Sequence, residues 1–245
     1  MILYVNGDSH SAGAEAVNTF AFAMDDPLYW ALGRQPHPDN LRASYGCEVA
    51  NMLYAVLHCD AESASSNNRI FRTTWDYLIG VQGLPKIAPD YVIIGWSTWE
   101  REEWLHEGTY YQVTASGTDQ VPVELQSKYK QWVIDQSDPR VRTDKIKEVH
   151  NKIWILHKDL TDRKIPHVFF NTYSDFHMLK NFDVPERDWS GSYIGPYDPE
   201  LTYYNWCINK GFKTVNPNSY HFGVDAHCAW AEFLYQHLVQ KNLTQ

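Results

Sequence analysis

The sequence predicts an α/β fold in three layers: a doubly wound, mostly parallel sheet with helices on both faces. Three observations carry this. The runs Ile2–Val5, Asp90–Gly95 and Pro166–Phe170 are predominantly apolar rather than alternating, as strands covered on both faces require. Between them lie stretches with apolar residues three and four apart, the period of an amphipathic helix. The chain of 245 residues has no internal repeat and no low-complexity linker. It therefore reads as one domain over 1–245, with insertions near 12–43, 96–142 and 171–198.

The elements follow in order. Ile2–Val5 reads as the first strand. Ala12 to Met24 is Ala-rich helix material, and the Pro-containing stretch after it reads as an excursion over the sheet edge. Ser44 resembles an N-cap for a helix through Leu57, with Val49, Met52, Leu53 and Val56 on one face. His58–Glu62 is a short second strand, and the Ser63–Asn67 cluster a polar turn. A helix is expected from Asn68 to Ile79, closed by Gly80–Pro89. The Asp90–Gly95 strand after it is the clearest in the chain. Val123–Gln136 reads as helical within the second insertion. Thr143 is a candidate N-cap for a helix to Arg163, with Ile146, Val149, Ile153, Leu156 and Leu160 as its stripe. After the Pro166–Phe170 strand and the long loop 171–198 come a short helix at Leu201–Lys210, a strand at Lys213–Val215, and a last helix from Cys228 to Lys241. Trp230, Phe233, Leu234 and Leu238 face inward from that helix.

Composition narrows the function. Lys plus Arg is 21 against 30 Asp plus Glu, a formal charge of −9, and no basic stripe stands out; this argues against a nucleic-acid binder. No apolar run is long enough for a membrane span, and the N-terminus lacks the pattern of a signal peptide. The expectation is a protein kept in the cytoplasm, or one that leaves by lysis or in a larger particle such as a virion. Cys47, Cys59, Cys207 and Cys228 show no metal-type spacing and read as thiols of a reducing compartment. No metal or cofactor is expected, and the oligomeric state is left open.

The chemistry-bearing stretches lie at the two ends. Gly7-Asp8-Ser9 directly follows the first strand, which puts a hydroxyl at the carboxyl edge of the sheet, where open α/β sheets build their sites. Taken alone, the tripeptide is ordinary turn chemistry. It gains meaning from the other end of the chain, Gly223-Val224-Asp225-Ala226-His227, just before the last helix. His221 is the alternative base, and His10 a structural group or a wall of the site.

These blocks, with Ser44-Tyr45-Gly46, Ala61 to Ile70, and Asp90 to Arg101 (Asp-Tyr-Val-Ile-Ile-Gly-Trp-Ser-Thr-Trp-Glu-Arg), resemble the SGNH/GDSL hydrolases. The Gly-Trp-Ser-x-x-Glu-Arg form of the third block is similar to that of a bacterial and phage-encoded subset. The resemblance covers the first hundred residues and the last thirty. It implies a flavodoxin-like SGNH hydrolase fold and an ester hydrolase with Ser9 as nucleophile, His227 as base and Asp225 as its orienting carboxylate. It also implies an oxyanion hole made by the N–H groups of Ser9 and Ala64.

The chain departs from that pattern in three places. Ala64 stands where the family has glycine. Gly95-Trp96-Ser97-Thr98 lacks the family's oxyanion asparagine, so that Ser97, Thr98 or Asn67 would have to supply the donor. Asp225 and His227 are one residue closer together than is common. Loop aromatics such as Trp96, Trp99, Trp104, Tyr110, Tyr111, Trp189, Tyr193 and Tyr197 suit a site for sugar rings, and a carbohydrate acyl or acetyl ester is the favoured substrate. Arg69 reads as a salt bridge at a helix start and Arg101 as a partner of Glu100. Two other readings stay open. One is a non-catalytic glycan-binding or structural protein on the same scaffold. The other is a metallohydrolase using the Asp-x-His pairs at Asp8 and Asp225.

Overall fold

The computed structural model describes the chain except residues 27–34, 81–87, 116, 118–120, 183, 185 and 243–245. Parts of the expected excursion 12–43, of Gly80–Pro89 and of the two later insertions lie outside the described residues.

A five-stranded sheet forms the middle layer. In chain order its strands are β1 (Ile2–Asn6), β2 (Val56–Cys59), β3 (Tyr91–Trp96), β6 (His167–Asn171) and β7 (Tyr193–Ile194), and they lie side by side as β2-β1-β3-β6-β7. Every pairing in this sheet is parallel. The remaining strands, β4 (Glu102–His106) and β5 (Thr109–Val113), make a separate antiparallel hairpin inside the second insertion. The helices are α1 (Pro38–Arg42), α2 (Tyr45–Met52), α3 (Asn67–Ile79), α4 (Gln126–Asp135), α5 (Pro139–Asp162), α6 (Tyr203–Asn209) and α7 (Val224–Asn242). This is the expected doubly wound α/β architecture with a flavodoxin-like strand order.

Side-chain alternation along the central strands divides the core in two. Tyr4, Val92, Ile94, Trp96 and Phe169 point to the layer of α3 and α5, where Ile70, Leu78, Ile146, Val149, Ile153, Leu156 and Leu160 meet them. Leu3, Val5, Ile93, Val168 and Phe170 point the other way, to Tyr45 and Val49 of α2, Tyr203 of α6, and Trp230, Leu234 and Leu238 of α7. Both sets are buried, which is why these strands read as unbroken apolar runs rather than alternating ones. A third, smaller cluster of Trp104, Val113, Val121, Tyr129 and Trp132 holds the hairpin against α4.

Several boundaries differ from expectation for local reasons. Ala12 to Met24 is not helical: Gly13 and Glu15 both take positive φ, 68° and 61°, and leave only a short 3-10 turn at Ala23–Asp25. Buried Asn40 secures this segment, accepting from the N–H groups of Val17 and Asn18 and donating to the carbonyls of Asn18 and Phe20. Ser44 does cap α2, its hydroxyl accepting from Cys47 N–H, but the helix stops at Met52 because Tyr54 turns left-handed at φ 53°. β2 therefore begins at Val56. Asp138 followed by Pro139 is a stronger start than Thr143, and α5 begins there. Lys213–Val215 contributes only an isolated bridge, from Thr214 to Phe222. The last helix begins at Val224, not Cys228, which bears directly on the site.

Candidate active site

β1 is the point at which the sheet reverses direction: the chain leaves it for β2 on one side and returns to β3 on the other. Ligand sites in open α/β sheets form beyond the carboxyl ends of the strands at such a reversal. The turn there is tightly made. Asn6 is buried, takes the N–H of Gly7 on its Oδ1, and spends its Nδ2 on Tyr4, Ile70, Thr73 and Thr74. A Cβ on Gly7 would sit 2.0 Å from Ser11 Oγ and 2.7 Å from the Gly95 carbonyl, so only glycine fits. The Asp8 and Ser9 carbonyls then accept from Ala12 and Ala14 N–H at 3.0 and 2.9 Å. Ser9 is held at the rim of a cavity of about 330 Å³ lined also by Asp8, His10, Thr98, Arg101, Tyr173, Tyr220 and His221.

Two histidines, His10 and His221, share this cavity with Ser9, and it is His221 whose ring is hydrogen-bonded to a carboxylate. Its backbone is fixed by the Thr214–Phe222 bridge and by Val215 N–H donating to its carbonyl at 2.9 Å. Its Nδ1 lies 2.5 Å from Oε2 of Glu15, and the same carboxylate oxygen accepts from Ser219 Oγ at 2.6 Å. The hydrogen bond from His221 chiefly, and that from Ser219, hold the Glu15 carboxyl below the usual range despite partial burial. Glu15 reaches this spot because the left-handed turn at Gly13 and Glu15 folds the chain back over the Ser9 loop. With Nδ1 engaged by a carboxylate, Nε2 is left as the acceptor. A hydroxyl and an imidazole thus line one cavity, with a carboxylate on the far nitrogen of the imidazole, a set that can activate a serine. No hydrogen bond joins Ser9 Oγ to His221 among the described residues; such bonds are often formed only with substrate in place.

Asp8 is buried beneath the cavity. Its Oδ2 accepts from Thr172 Oγ1 at 2.9 Å and lies 3.5 Å from Arg101 Nη1, while Oδ1 accepts from His10 N–H at 3.1 Å. Burial alone would favour the neutral acid. The neighbouring His10 and Arg101 charges and the Ser97 and Thr172 hydroxyls outweigh it and lower its pKa. His10 itself is pushed down to about 4, mainly by burial, so near neutrality the charge that keeps Asp8 ionised is Arg101. The His10 ring stacks edge-on between those of His221 and Tyr203, at 5.2 and 5.4 Å, as a wall of the site. Arg101 therefore pairs with Asp8 rather than Glu100, and Arg69 makes its expected bridge, to Glu62 at 2.8 Å.

The pairing of Asp225 with His227 does not form, and this corrects the sequence reading. Both residues lie in the first turn of α7, and two residues apart on a helix puts them on opposite faces. Asp225 is exposed to solvent, whereas His227 is 1% exposed. His227 Nδ1 accepts the N–H of Tyr45 at 3.3 Å and lies 3.4 Å from Tyr203 Oη. It thereby satisfies a free donor at the start of α2. Burial, with the nearby His10 and His221, pushes its pKa down to about 3, so it is neutral.

The other expected residues divide similarly. Thr98 lines the cavity. Asn67 cannot be the missing donor: its Nδ2 donates to the Ser97 and Thr98 carbonyls, and its Oδ1 accepts from Ser97 N–H at 2.8 Å, clamping α3 to the end of β3. Ser97 is 2% exposed, and its hydroxyl takes a hydrogen bond from Arg101 Nη1 at 2.9 Å. Trp96 is fully buried against Phe169 and belongs to the core. Trp99, Trp104, Trp189 and Tyr193 are buried as well; the aromatics on the cavity are Tyr173 and Tyr220. Ala64 adopts φ 63°, a left-handed conformation that alanine tolerates at a cost. Glu15 was missed altogether, although it is the lone carboxylate in the Gly/Ala-rich stretch after Ser9. Among the described residues no group of three or more His, Cys, Asp or Glu is gathered that could hold a metal ion.

No protein-family model and no curated protein matches the chain. Solved structures do resemble it. One is an acetyl xylan esterase from the rumen bacterium Butyrivibrio proteoclasticus, at 15% identity and a TM-score of 0.47, covering 98% of this chain and 63% of that one. Another is a family two carbohydrate esterase from Cellvibrio japonicus, at 15% identity and a TM-score of 0.41, covering 98% and 61%. A third, from Desulfitobacterium hafniense, is described as a candidate lipolytic protein of the G-D-S-L family, at 10% identity and a TM-score of 0.35, covering 96% and 98%. The chain spans just under two thirds of the two carbohydrate esterases. The likeness is one of fold.

Proposed function

We propose that this protein is a serine esterase that removes a small acyl group, such as acetyl, from a carbohydrate hydroxyl. The observation that carries the reading is that Ser9 and His221 line one cavity, with the imidazole Nδ1 2.5 Å from the Glu15 carboxylate. In this mechanism Ser9 Oγ adds to the ester carbonyl while His221 Nε2 takes its proton. The tetrahedral oxyanion collapses, the alcohol leaves with the proton from His221, and an acyl-serine remains. Water then repeats the sequence, and carboxylate is released. Glu15 keeps His221 in the correct tautomer and stabilises the imidazolium. The N–H groups of Ser9 and Ala64 are assigned to the oxyanion. Tyr173 and Tyr220, 43% and 61% exposed, offer flat faces for a sugar ring beside the nucleophile and support the carbohydrate assignment.

Labelling with a fluorophosphonate probe, read by mass spectrometry, tests this reading. A single adduct on Ser9 is expected, abolished in Ser9→Ala and in His221→Ala and retained in His227→Ala. Absence of any adduct on a folded sample would sink the esterase and leave a glycan-binding protein on the same scaffold. Retained labelling in His221→Ala with loss in folded His227→Ala would return the base to His227.

A further inference from the structure

Arg101 is held in an unusual way. Among the described residues its polar contacts all use one nitrogen: Nη1 donates to Ser97 Oγ at 2.9 Å and to the Ser65 carbonyl at 3.5 Å, and lies 3.5 Å from Asp8 Oδ2. Nε and Nη2 make no hydrogen bond among the described residues. The side chain is 25% exposed and lines the same cavity as Ser9 and His221. A guanidinium is always charged, and its N–H groups diverge from a rigid plane. Pinned at one nitrogen, with Nε and Nη2 uncommitted among the described residues, it holds preset donors between this cavity and a neighbouring one bordered by Glu102, Lys145 and Glu148, and needs no ordering when substrate arrives.

Two of the side chains expected to supply the oxyanion donor are committed elsewhere. The Asn67 amide is consumed by Ser97 and Thr98, and the Ser97 hydroxyl is engaged with Arg101 itself and with Asp8. Asp8 neutralises the guanidinium, so the cavity is not a general trap for anions; the remaining N–H groups act by direction rather than by net charge. Arg101 also grips both strips of chain that border the nucleophile, the Ser65 turn beside Ala64 and the Ser97 turn after β3.

We propose that Arg101 is a catalytic residue: through Nη2 or Nε it donates to the oxyanion formed when Ser9 adds to the ester carbonyl. In that step the Ser9 Oγ–carbon bond forms, the carbonyl π pair moves onto oxygen, and the hydroxyl proton passes to His221. Arg101 neither gains nor loses a proton. This inference rests on the esterase reading above.

The experiment measures kcat and KM of the full chain on two esters, p-nitrophenyl acetate and an acetyl ester whose alcohol carries a carboxylate. Wild type, Arg101→Gln, Arg101→Lys, Arg101→Ala and Ser9→Ala are compared, with thermal melts on each. Arg101→Gln should lower kcat by roughly 10²–10³ with little change in KM, equally for both esters, as loss of one oxyanion donor does elsewhere. Arg101→Lys should lose less, and millimolar guanidinium should restore part of kcat in Arg101→Ala. Unchanged kcat overturns the assignment. So does a loss confined to KM or to the carboxylate-bearing ester, which would mark an anion-recognition site. Loss of kcat with a depressed melt and no guanidinium rescue also overturns it and makes Arg101 a structural clamp. Wild type no more active than Ser9→Ala removes the esterase reading, and this assignment with it.

Discussion

Glu15→Gln separates the charge beside His221 from the contact that positions it. The glutamine carbonyl oxygen can still accept from Ser219 Oγ and His221 Nδ1, which meet on one carboxylate oxygen in the wild type. What disappears is the negative charge facing the imidazolium. For unit charges about 4 Å apart at an effective dielectric of about 20, that attraction is roughly 4 kcal/mol. The His221 and Glu15 side chains are 18% and 21% exposed, and water screens part of it. A loss of about 2–3 kcal/mol of transition-state stabilisation remains, which is a fall of roughly 30- to 150-fold in kcat/KM. The assay is hydrolysis of p-nitrophenyl acetate near pH 7.5, with Ser9→Ala as the background. Asp225→Asn, which alters a solvent-facing carboxylate, serves as the control and should stay within about twofold of wild type. Glu15→Gln within about threefold of wild type, or Asp225→Asn losing as much, would refute the reasoning.

Three further outcomes follow from the same geometry. His227→Gln should keep kcat within a few-fold yet lower stability by about 1–3 kcal/mol in urea melts, because the buried N–H of Tyr45 loses its acceptor; unchanged stability with lost activity would contradict this. Burial holds His10 and His150 to about 4 and His227 to about 3 in the folded chain, against an ordinary 6.5. The unfolded chain therefore takes up these protons first, so this contribution is full above about pH 6.5 and is lost as pH falls toward 4, at up to ~1.4 kcal/mol per group per pH unit. A urea midpoint that stays level from pH 7 to pH 5 would rule this out. Ala64→Gly should raise the urea midpoint, by up to about 1 kcal/mol in stability, since glycine adopts φ 63° without the Cβ penalty; a lowered midpoint would show that the turn is not strained.

The sheet was legible because both its faces are covered. Unbroken runs such as Tyr91–Trp96 can scarcely read as anything else, and the three-four stripe of α5 places that helix on one face. Ser9 was legible through the turn that only Gly7 permits. The base was not, because the whole inference turned on where α7 begins. Reading its start at Cys228 left Asp225 and His227 on a loop; with the start at Val224 the helix parts them and buries the histidine. Glu15 was hidden for a different reason. Its alanine-rich surroundings favour a helix, and only the left-handed turn at Gly13 and Glu15, a tertiary outcome, brings its carboxylate under His221. The loop aromatics misled because tryptophan has so much surface to bury that Trp96, Trp99 and Trp189 went to the core, leaving tyrosines at the rim.

The hydroxyl and the imidazole assigned here sit at positions 9 and 221 of the chain, on opposite sides of almost the entire sheet in the order of synthesis. At a ribosomal pace of about 5–20 residues per second, the two are made roughly 10–40 s apart. During that interval β1 can pair and the Gly7 turn can close, but the serine has no proton acceptor from the 219–223 segment. Under the proposed mechanism a nascent chain is chemically silent toward acyl groups around the ribosome, and the onset of hydrolysis in a timed translation reaction would report when the closing segment docks.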